Sequence, residues 1–324
     1  MTSPQTPRED VAAERMGRAG LITLARPAAL NALTLPMIRQ IRAAFEQHLA
    51  DPAVEVIVIR STSPKAFCAG GDMRRIRELS LGNEFDEIAA FFTDEYALNL
   101  AIHECPKPYV ALIDGVAMGG GLGLSVHGRH RVVTEHAMLA MPETAIGFIP
   151  DVGASYFLSR MAPALGMWLA LTGARVTAAQ AVASGLATQL TARDRLPDLL
   201  AELGDASAGD VEAVLQRFAE PVDSPALQAA LHERAAGFDA DRLSDVLAAW
   251  RAAAGDAALA AFSPAALASS FELLRAARGK SLRECLALEF ELSMAFARHP
   301  DFIEGARAVL VDKDRKPRWQ SRPS

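Results

Sequence analysis

Two carboxylates carry the strongest chemical signal in the chain. Glu143 and Asp151 stand in Met141-Pro142-Glu143-Thr144-Ala145-Ile146-Gly147-Phe148-Ile149-Pro150-Asp151, where their company is otherwise apolar. A carboxylate in such company is poorly solvated, so its pKa rises and it suits proton transfer near neutrality. Two glycine stretches precede them, Lys65-Ala66-Phe67-Cys68-Ala69-Gly70-Gly71-Asp72 and Met118-Gly119-Gly120-Gly121-Leu122-Gly123-Leu124. A glycine run lets backbone N–H groups approach a ligand closely, and a helix opening from it adds partial positive charge. Each piece alone also reads blandly. Gly70-Gly71 suits a tight turn with Asp72 capping the next helix, and Gly119–Gly121 suits close helix packing. Glu143 suits a salt-bridged or capping carboxylate, and Asp151, after Pro150, an N-cap. The combination is more pointed: two glycine turns supply two N–H donors for an oxyanion, each worth about 3–4 kcal/mol of barrier, and the carboxylates supply a proton acceptor. That is what chemistry at a carbonyl needs.

The elements that must hold these pieces follow from the pattern around them. Leu21–Leu24 reads as a strand ended by Arg26-Pro27, because proline cannot donate to a ladder. Pro36 opens a helix with Met37, Ile38, Ile41, Phe45 and Leu49 at helical spacing. Val54–Ile59 and Tyr109–Ile113 read as buried strands, Glu84–His103 as a helix, and Arg131–Val133 and Ala137–Ala140 as short strands. This rhythm predicts repeated βα units with parallel pairing. Thr177-Ala178-Ala179-Gln180 is a capping box and Gly185 a helix stop. Beyond Leu190 strand-like runs nearly vanish. Helix starts are expected at Ser263-Pro264, Ser281-Leu282-Arg283-Glu284 and Asp301-Phe302-Ile303-Glu304. The expected organisation is a flexible tail over residues 1–19, an α/β core over 20–190 that bears the site, and a helical region over 191–324.

Composition narrows the function classes. The chain has 324 residues and a formal net charge of −6, without a long basic run, so nucleic acid is not an expected partner. Cys68, Cys105 and Cys285 have no metal spacing and read as free thiols of a reducing, cytoplasmic setting. No apolar run nears the ~20 residues of a membrane span. His127, His130 and His136 cluster in sequence but lack the partners of a metal site. A Gly-x-Ser-x-Gly elbow and a Gly-Lys-Ser/Thr phosphate loop are both missing, which disfavours a serine hydrolase and an NTPase.

From about Leu21 to Trp319 the sequence resembles the enoyl-CoA hydratase/isomerase (crotonase) superfamily, and within it the 3-hydroxyisobutyryl-CoA hydrolases. Arg26-Pro27-Ala28-Ala29-Leu30-Asn31-Ala32-Leu33 is similar to the family's first turn, and the two glycine stretches to its oxyanion loops. The run Met141–Asp151 and the ending Glu304-Gly305-Ala306-Arg307-Ala308-Val309-Leu310-Val311-Asp312-Lys313-Asp314 match the hydrolases. The resemblance implies a ββα-superhelix core with a helical C-terminal region and an acyl-CoA substrate, with no separate cofactor. It assigns the oxyanion donors to Gly71 and Gly120, catalysis to Glu143 and Asp151, and a substrate-contacting carboxylate to Glu95. Hydratases of the superfamily use two glutamates; the first would fall at Gly123, where the side chain is missing, and the second at Glu143. Two departures are noted: Ala25 for the frequent Asn, and Ala154-Ser155 for the usual glycines. Lys65, Arg74 and Arg75 are candidates for the CoA phosphates by position only, and read first as ordinary solvated charges.

The leading expectation is therefore hydrolysis of 3-hydroxyisobutyryl-CoA, a step of valine catabolism, by a chain free to form a homo-oligomer. Hydration or isomerisation of a short acyl-CoA is the second reading, with a glutamate installed at Gly123 expected to open a trace of hydration. A non-catalytic acyl-CoA-binding protein is the third.

Overall fold

The computed structural model describes residues 10–320. Of the tail expected over residues 1–19, residues 1–9 lie outside the described part. The remainder is not a tail. Strand β1 (Val11–Met16) pairs antiparallel with β2 (Ala19–Leu24), in register from Val11 against Leu24 to Met16 against Ala19. Only Val11 of β1 is buried, while Ala13, Glu14 and Arg15 face solvent. An edge strand with so little apolar alternation leaves a weak sequence signal.

Helix α1 (Leu35–Ala50) follows, capped by the Thr34 side chain. Then come β3 (Val56–Ser61), β4 (Ala66–Cys68), α2 (Met73–Leu81) and α3 (Phe85–His103). Next are β5 (Tyr109–Ile113), β6 (Val116–Met118), the single-turn α4 (Gly120–Gly123), β7 (His130–Val133) and β8 (Met138–Ala140). After a 3-10 turn at Glu143–Ile146 the chain forms α5 (Ala154–Leu158), α6 (Pro163–Thr172), β9 (Val176–Thr177), α7 (Ala178–Ser184) and β10 (Gln189–Leu190). The predicted capping box of Thr177 and Gln180 is present, and Gly185 ends α7 in the left-handed region.

The strands make two sheets, one in the order β1-β2-β3-β5-β7-β10 and one in the order β4-β6-β8-β9. Apart from β1 against β2 and β8 against β9, every pairing is parallel. Successive strands alternate between the sheets, β3 then β4, β5 then β6, β7 then β8, so the chain advances as the expected ββα superhelix.

The remaining helices are α8 (Leu196–Asp205), α9 (Val211–Arg217), α10 (Ser224–Arg234), α11 (Leu243–Ala254), α12 (Asp256–Leu259), α13 (Pro264–Ala276), α14 (Leu282–Phe296) and α15 (Pro300–Ala306). They do not build a core of their own. Leu199, Leu203, Val214 and Phe218 cover one face of the larger sheet, against Leu21, Val58, Val110 and Val132. Leu231, Phe271, Leu274, Phe296 and Phe302 join the main core together with Leu33, Phe67 and Phe148. The boundary near residue 191 thus marks a change of secondary structure, since the helices beyond it fill two interiors that they share with the strands. Ser263 and Ser281 cap α13 and α14 as expected. Asp301 does not cap α15; the His299 ring does, and Asp301 is buried inside the helix, where it accepts from Ser263 Oγ at 2.7 Å.

Candidate active site

Three neighbouring parallel strands deliver the predicted pieces to one place. In the smaller sheet β4 pairs with β6 and β6 with β8. Gly70-Gly71 leave the C-terminal end of β4, Gly119-Gly120 that of β6, and Met141-Pro142-Glu143 that of β8. The C-terminal ends of parallel strands are where such sheets leave a crevice for ligands. Both turns need glycine, since Gly70 has φ +99° and Gly119 φ +48°. Asp72 caps α2 through Arg75 N–H, so the bland reading of that motif holds beside the functional one.

The turns border a cavity of about 470 Å³ lined by Gly71, Gly120, Glu95, Glu143 and Asp151 together with Phe91, Phe92, Met118 and Ile146. All five predicted site residues therefore meet in one space. No group among the described residues accepts the Gly71 or Gly120 N–H. A β-carbon built on Gly120 would stand 3.3 Å from Gly71 N and 2.5 Å from Glu95 Oε1, so both donors and this carboxyl crowd one spot.

The acidic side chains are nearly enclosed, with Glu95, Glu143 and Asp151 exposed by 2%, 7% and 7%. Glu95 Oε1 and Glu143 Oε2 are buried without a hydrogen-bond partner. Burial, with Asp151 nearby, pushes Glu143 well above the usual carboxylate range. Burial, then Asp151 and Glu143, does the same to Glu95. Asp151 is pushed up to about 7 by burial, against the opposing hydrogen bond from the Tyr96 hydroxyl, which donates to Oδ2 at 2.7 Å. Asp151 is thereby poised to hold or take a proton near neutrality.

Three residues missed in the sequence complete the surroundings. Tyr96 sits on α3 beside Glu95, and its hydroxyl also meets Ser293 Oγ at 2.8 Å. Glu289 is buried below the Asp151 loop and pushed up to about 8, chiefly by burial. Leu282, Cys285, Leu286, Glu289, Ser293 and Phe296 form the buried face of α14. Two polar residues on an apolar helical stripe are a signal the sequence does contain. The loop itself is strained, because Val152 takes φ +54°, which for a β-branched residue costs about 1–3 kcal/mol.

The basic candidates need correcting. Lys65 is exposed and precedes β4, hence lies at the strand end away from the site. Arg74 and Arg75 line an adjacent groove instead; Arg74 donates to the Leu310 carbonyl and Arg75 pairs with Glu78 and Glu87. The arginines that border the cavity are Arg175 and Arg315, both exposed and without a side-chain partner among the described residues. The three histidines do not converge either. His127 holds the Val152 carbonyl at 2.7 Å, His130 faces Glu212 and His136 faces Glu135.

Gly123 closes off a further expectation. A β-carbon there would lie 2.8 Å from Val152 Cβ and 2.9 Å from Asn99 Nδ2. A glutamate installed at this position has no room, so the expected trace of hydration is withdrawn.

Known proteins place this geometry. Residues 19–323 match the family model described as enoyl-CoA hydratase/isomerase. The 3-hydroxyisobutyryl-CoA hydrolase, mitochondrial, of Homo sapiens is 42% identical, over 96% of this chain and 84% of that protein. Its namesake from Xenopus laevis is 40% identical, over 94% and 83%. Among solved structures, a carnitinyl-CoA dehydratase from Mycobacterium thermoresistibile is similar at a TM-score of 0.87 and 37% identity, covering 97% of this chain and 92% of its own. An enoyl-CoA hydratase from Rhodobacter sphaeroides 2.4.1 follows at 0.85 and 39%, covering 96% and 92%. Fold, glycine turns and whole-length similarity together assign the chain to the enoyl-CoA hydratase/isomerase family.

Proposed function

We infer that the protein hydrolyses the thioester of 3-hydroxyisobutyryl-CoA to 3-hydroxyisobutyrate and CoA. The observation that carries the reading is the cavity itself: two free backbone N–H groups and a set of enclosed carboxylates, with no room for a side chain at Gly123. Relatives near 40% identity carry the hydrolase name over nearly the whole chain. Two solved neighbours, a dehydratase and a hydratase by name, favour the alternative, addition or removal of water across a double bond. That chemistry in this superfamily employs a second glutamate, and the crowding around Gly123 argues against it here.

In this scheme Gly71 and Gly120 hold the thioester oxygen and stabilise it as negative charge develops. Glu143 acts at the thioester carbon, as nucleophile or as the base for water. With Glu143 as base, water forms the new C–O bond as it gives a proton to the carboxylate, the C–S bond breaks, and that proton goes to the departing thiolate. With Glu143 as nucleophile, the C–S bond breaks as an acyl–Glu143 anhydride forms, and water then cleaves the anhydride, freeing the carboxylate and giving its proton to the thiolate. Asp151 receives the substrate's 3-hydroxyl, its Oδ2 being held by Tyr96. Glu95 contacts the substrate as a largely neutral acid, because an ionised carboxylate beside the two donors would oppose the oxyanion. No separate cofactor enters; CoA arrives as part of the substrate, its phosphates met by Arg175 and Arg315. The free thiols keep a cytoplasmic setting as our expectation.

One panel tests the scheme. CoA release is measured for acyl-CoAs with and without a 3-hydroxyl, and for the corresponding pantetheine thioester, which lacks the nucleotide phosphates. The 3-hydroxyacyl-CoA is expected to be turned over best. Asp151→Asn should narrow its advantage by roughly ten- to a hundredfold, since a hydrogen bond to a charged group is worth about 1.5–3 kcal/mol. Equal slowing of both acyl classes would move Asp151 into the chemical step. Arg175→Ala and Arg315→Ala should raise KM for the CoA ester and leave that of the pantetheine ester unchanged. Efficient hydration of an enoyl-CoA without CoA release would replace the hydrolase reading by the alternative.

A further inference from the structure

Helix α14 turns two polar side chains, Glu289 and Ser293, inward on successive turns; Glu289 reaches the loop that carries Asp151, and Ser293 reaches it through Tyr96. Ser293 meets the Tyr96 hydroxyl, which donates to Asp151 Oδ2. Glu289 meets the backbone on the other side of the same residue. Its Oε2 accepts from Gly153 N–H at 2.6 Å, and its Oε1 from Ser155 N–H at 2.8 Å and Ser155 Oγ at 2.5 Å. Between these anchors stands Val152 in its left-handed conformation. The Val152 carbonyl is held by His127 Nε2, which must carry the proton because a carbonyl only accepts. Burial keeps that imidazole neutral, with a pKa of about 4.

A fully enclosed carboxylate without a basic partner is a costly way to fill a helix interface. Here it answers a specific need. Three donors leave the loop in one direction, and only an acceptor with two oxygens serves all of them. We propose that Glu289 is a positioning residue for the hydrolysis, pinning the Val152–Gly153 turn so that Asp151 is aimed into the cavity. The inference rests on the reading that Asp151 acts on the substrate. Ser155 supplies two of the three bonds, one from its N–H and one from its hydroxyl, so a side chain of the loop takes part in the clamp.

Asp151 is faced by Glu95 and Tyr96 from α3, Glu143 from the 3-10 turn and Glu289 from α14. Glu289 in turn faces Asp151, Tyr96 and Cys285. Each of these groups is acidic, and Glu289, pushed up to about 8, still carries its proton where Asp151 titrates at about 7. The clamp is therefore read in kcat against KM and in its coupling to Asp151.

The test is a double-mutant cycle of Glu289→Gln with Asp151→Asn, read as kcat and KM for the 3-hydroxyacyl-CoA. The amide can accept from Ser155 but turns a donor toward Gly153 N–H, so Glu289→Gln should lower kcat about ten- to a hundredfold. KM should stay within about threefold. On the Asp151→Asn background the same change should cost almost nothing further, because residues acting through one another are not additive. Equal losses on both backgrounds would show that Glu289 merely supports the fold. If Asp151→Asn is impaired while Glu289→Gln matches the native enzyme, the clamp alone is refuted. If Asp151→Asn itself is fully active, both readings fall. Should Glu289→Gln not fold, Ser155→Ala removes only the Oγ bond and is held to the same cycle, with an expected three- to tenfold loss in kcat.

Discussion

Glu143→Gln is expected to abolish CoA release from every acyl-CoA while leaving binding intact. The amide keeps the shape of the side chain and takes away its capacity to hold a proton. Positioned acid–base groups typically contribute 10²- to 10⁴-fold, and loss of a nucleophile costs at least as much, so a fall of about a thousandfold or more is anticipated. The surroundings justify the upper part of that range. Oε2 is enclosed without a partner, and Ala145 and Ile146 border the same cavity, so water cannot easily stand in for the missing base. Calorimetric titration with a non-hydrolysable acyl-CoA should give an affinity within a few-fold of native. Turnover within tenfold of native would remove Glu143 from the chemistry. Unlike Asp151→Asn, this change should not distinguish acyl chains that carry a 3-hydroxyl from those that do not.

Gly120→Pro should lower kcat at least a hundredfold, roughly the worth of one oxyanion donor. Gly120 is the first residue of α4, a position proline tolerates, so the helix start itself should survive. What is lost is the N–H that no group of the described residues uses. Crowding is the competing cause, since a β-carbon there would meet Glu95 Oε1 at 2.5 Å and Leu33 Cδ1 at 3.0 Å. Gly120→Ala separates the two. It adds the same carbon and keeps the donor, and should therefore retain clearly more activity than the proline variant. If alanine and proline cost the same, the loss is steric and the donor assignment fails.

Much of this site was legible because its pieces lie at strand ends. A glycine turn or a carboxylate just past a short apolar run is visible in one dimension, and Gly71, Gly120 and Glu143 have that form, while Asp151 stood out as a carboxylate in an apolar stretch after Pro150. Glu95 needed the family resemblance, since a helical carboxylate among phenylalanines has no strand end to mark it. The neighbours that tune the site were harder. Tyr96, Ser293 and Glu289 reach Asp151 across 55, 142 and 138 residues of sequence, and no local pattern fixes such contacts. Helical periodicity does place Glu289 and Ser293 on the buried face of α14, so their burial could have been read even though their partners could not. The basic candidates Lys65, Arg74 and Arg75 stand outside the cavity lining for a plainer reason. Proximity to a motif in sequence put Lys65 at the wrong end of β4, while Arg175 and Arg315 come from loops far along the chain. The hairpin strand β1 was missed because an edge strand exposes most of what would identify it.

The crowd of enclosed acids has a consequence for folding. Asp151 goes from a reference value of 3.8 to about 7 and Glu289 from 4.5 to about 8. Between the unfolded and folded values, the native chain keeps a proton that the unfolded chain has released, so each contribution to stability is full below about pH 4 and is lost as the pH climbs through 7 to 8. A shift of about three units corresponds to roughly 4 kcal/mol per group, a substantial part of an ordinary protein's total stability. Urea unfolding is thus expected to show stability declining from pH 5 to pH 8, and Asp151→Asn should flatten that decline and raise the midpoint at pH 8. A native profile that is flat or rises over this range would mean that the acids are not held protonated. The pH at which this chain is hardest to unfold therefore lies below the titration of Asp151 and Glu289, and the pH at which Asp151 is ionised to receive the 3-hydroxyl lies above it, so a charged Asp151 is carried at the expense of the fold.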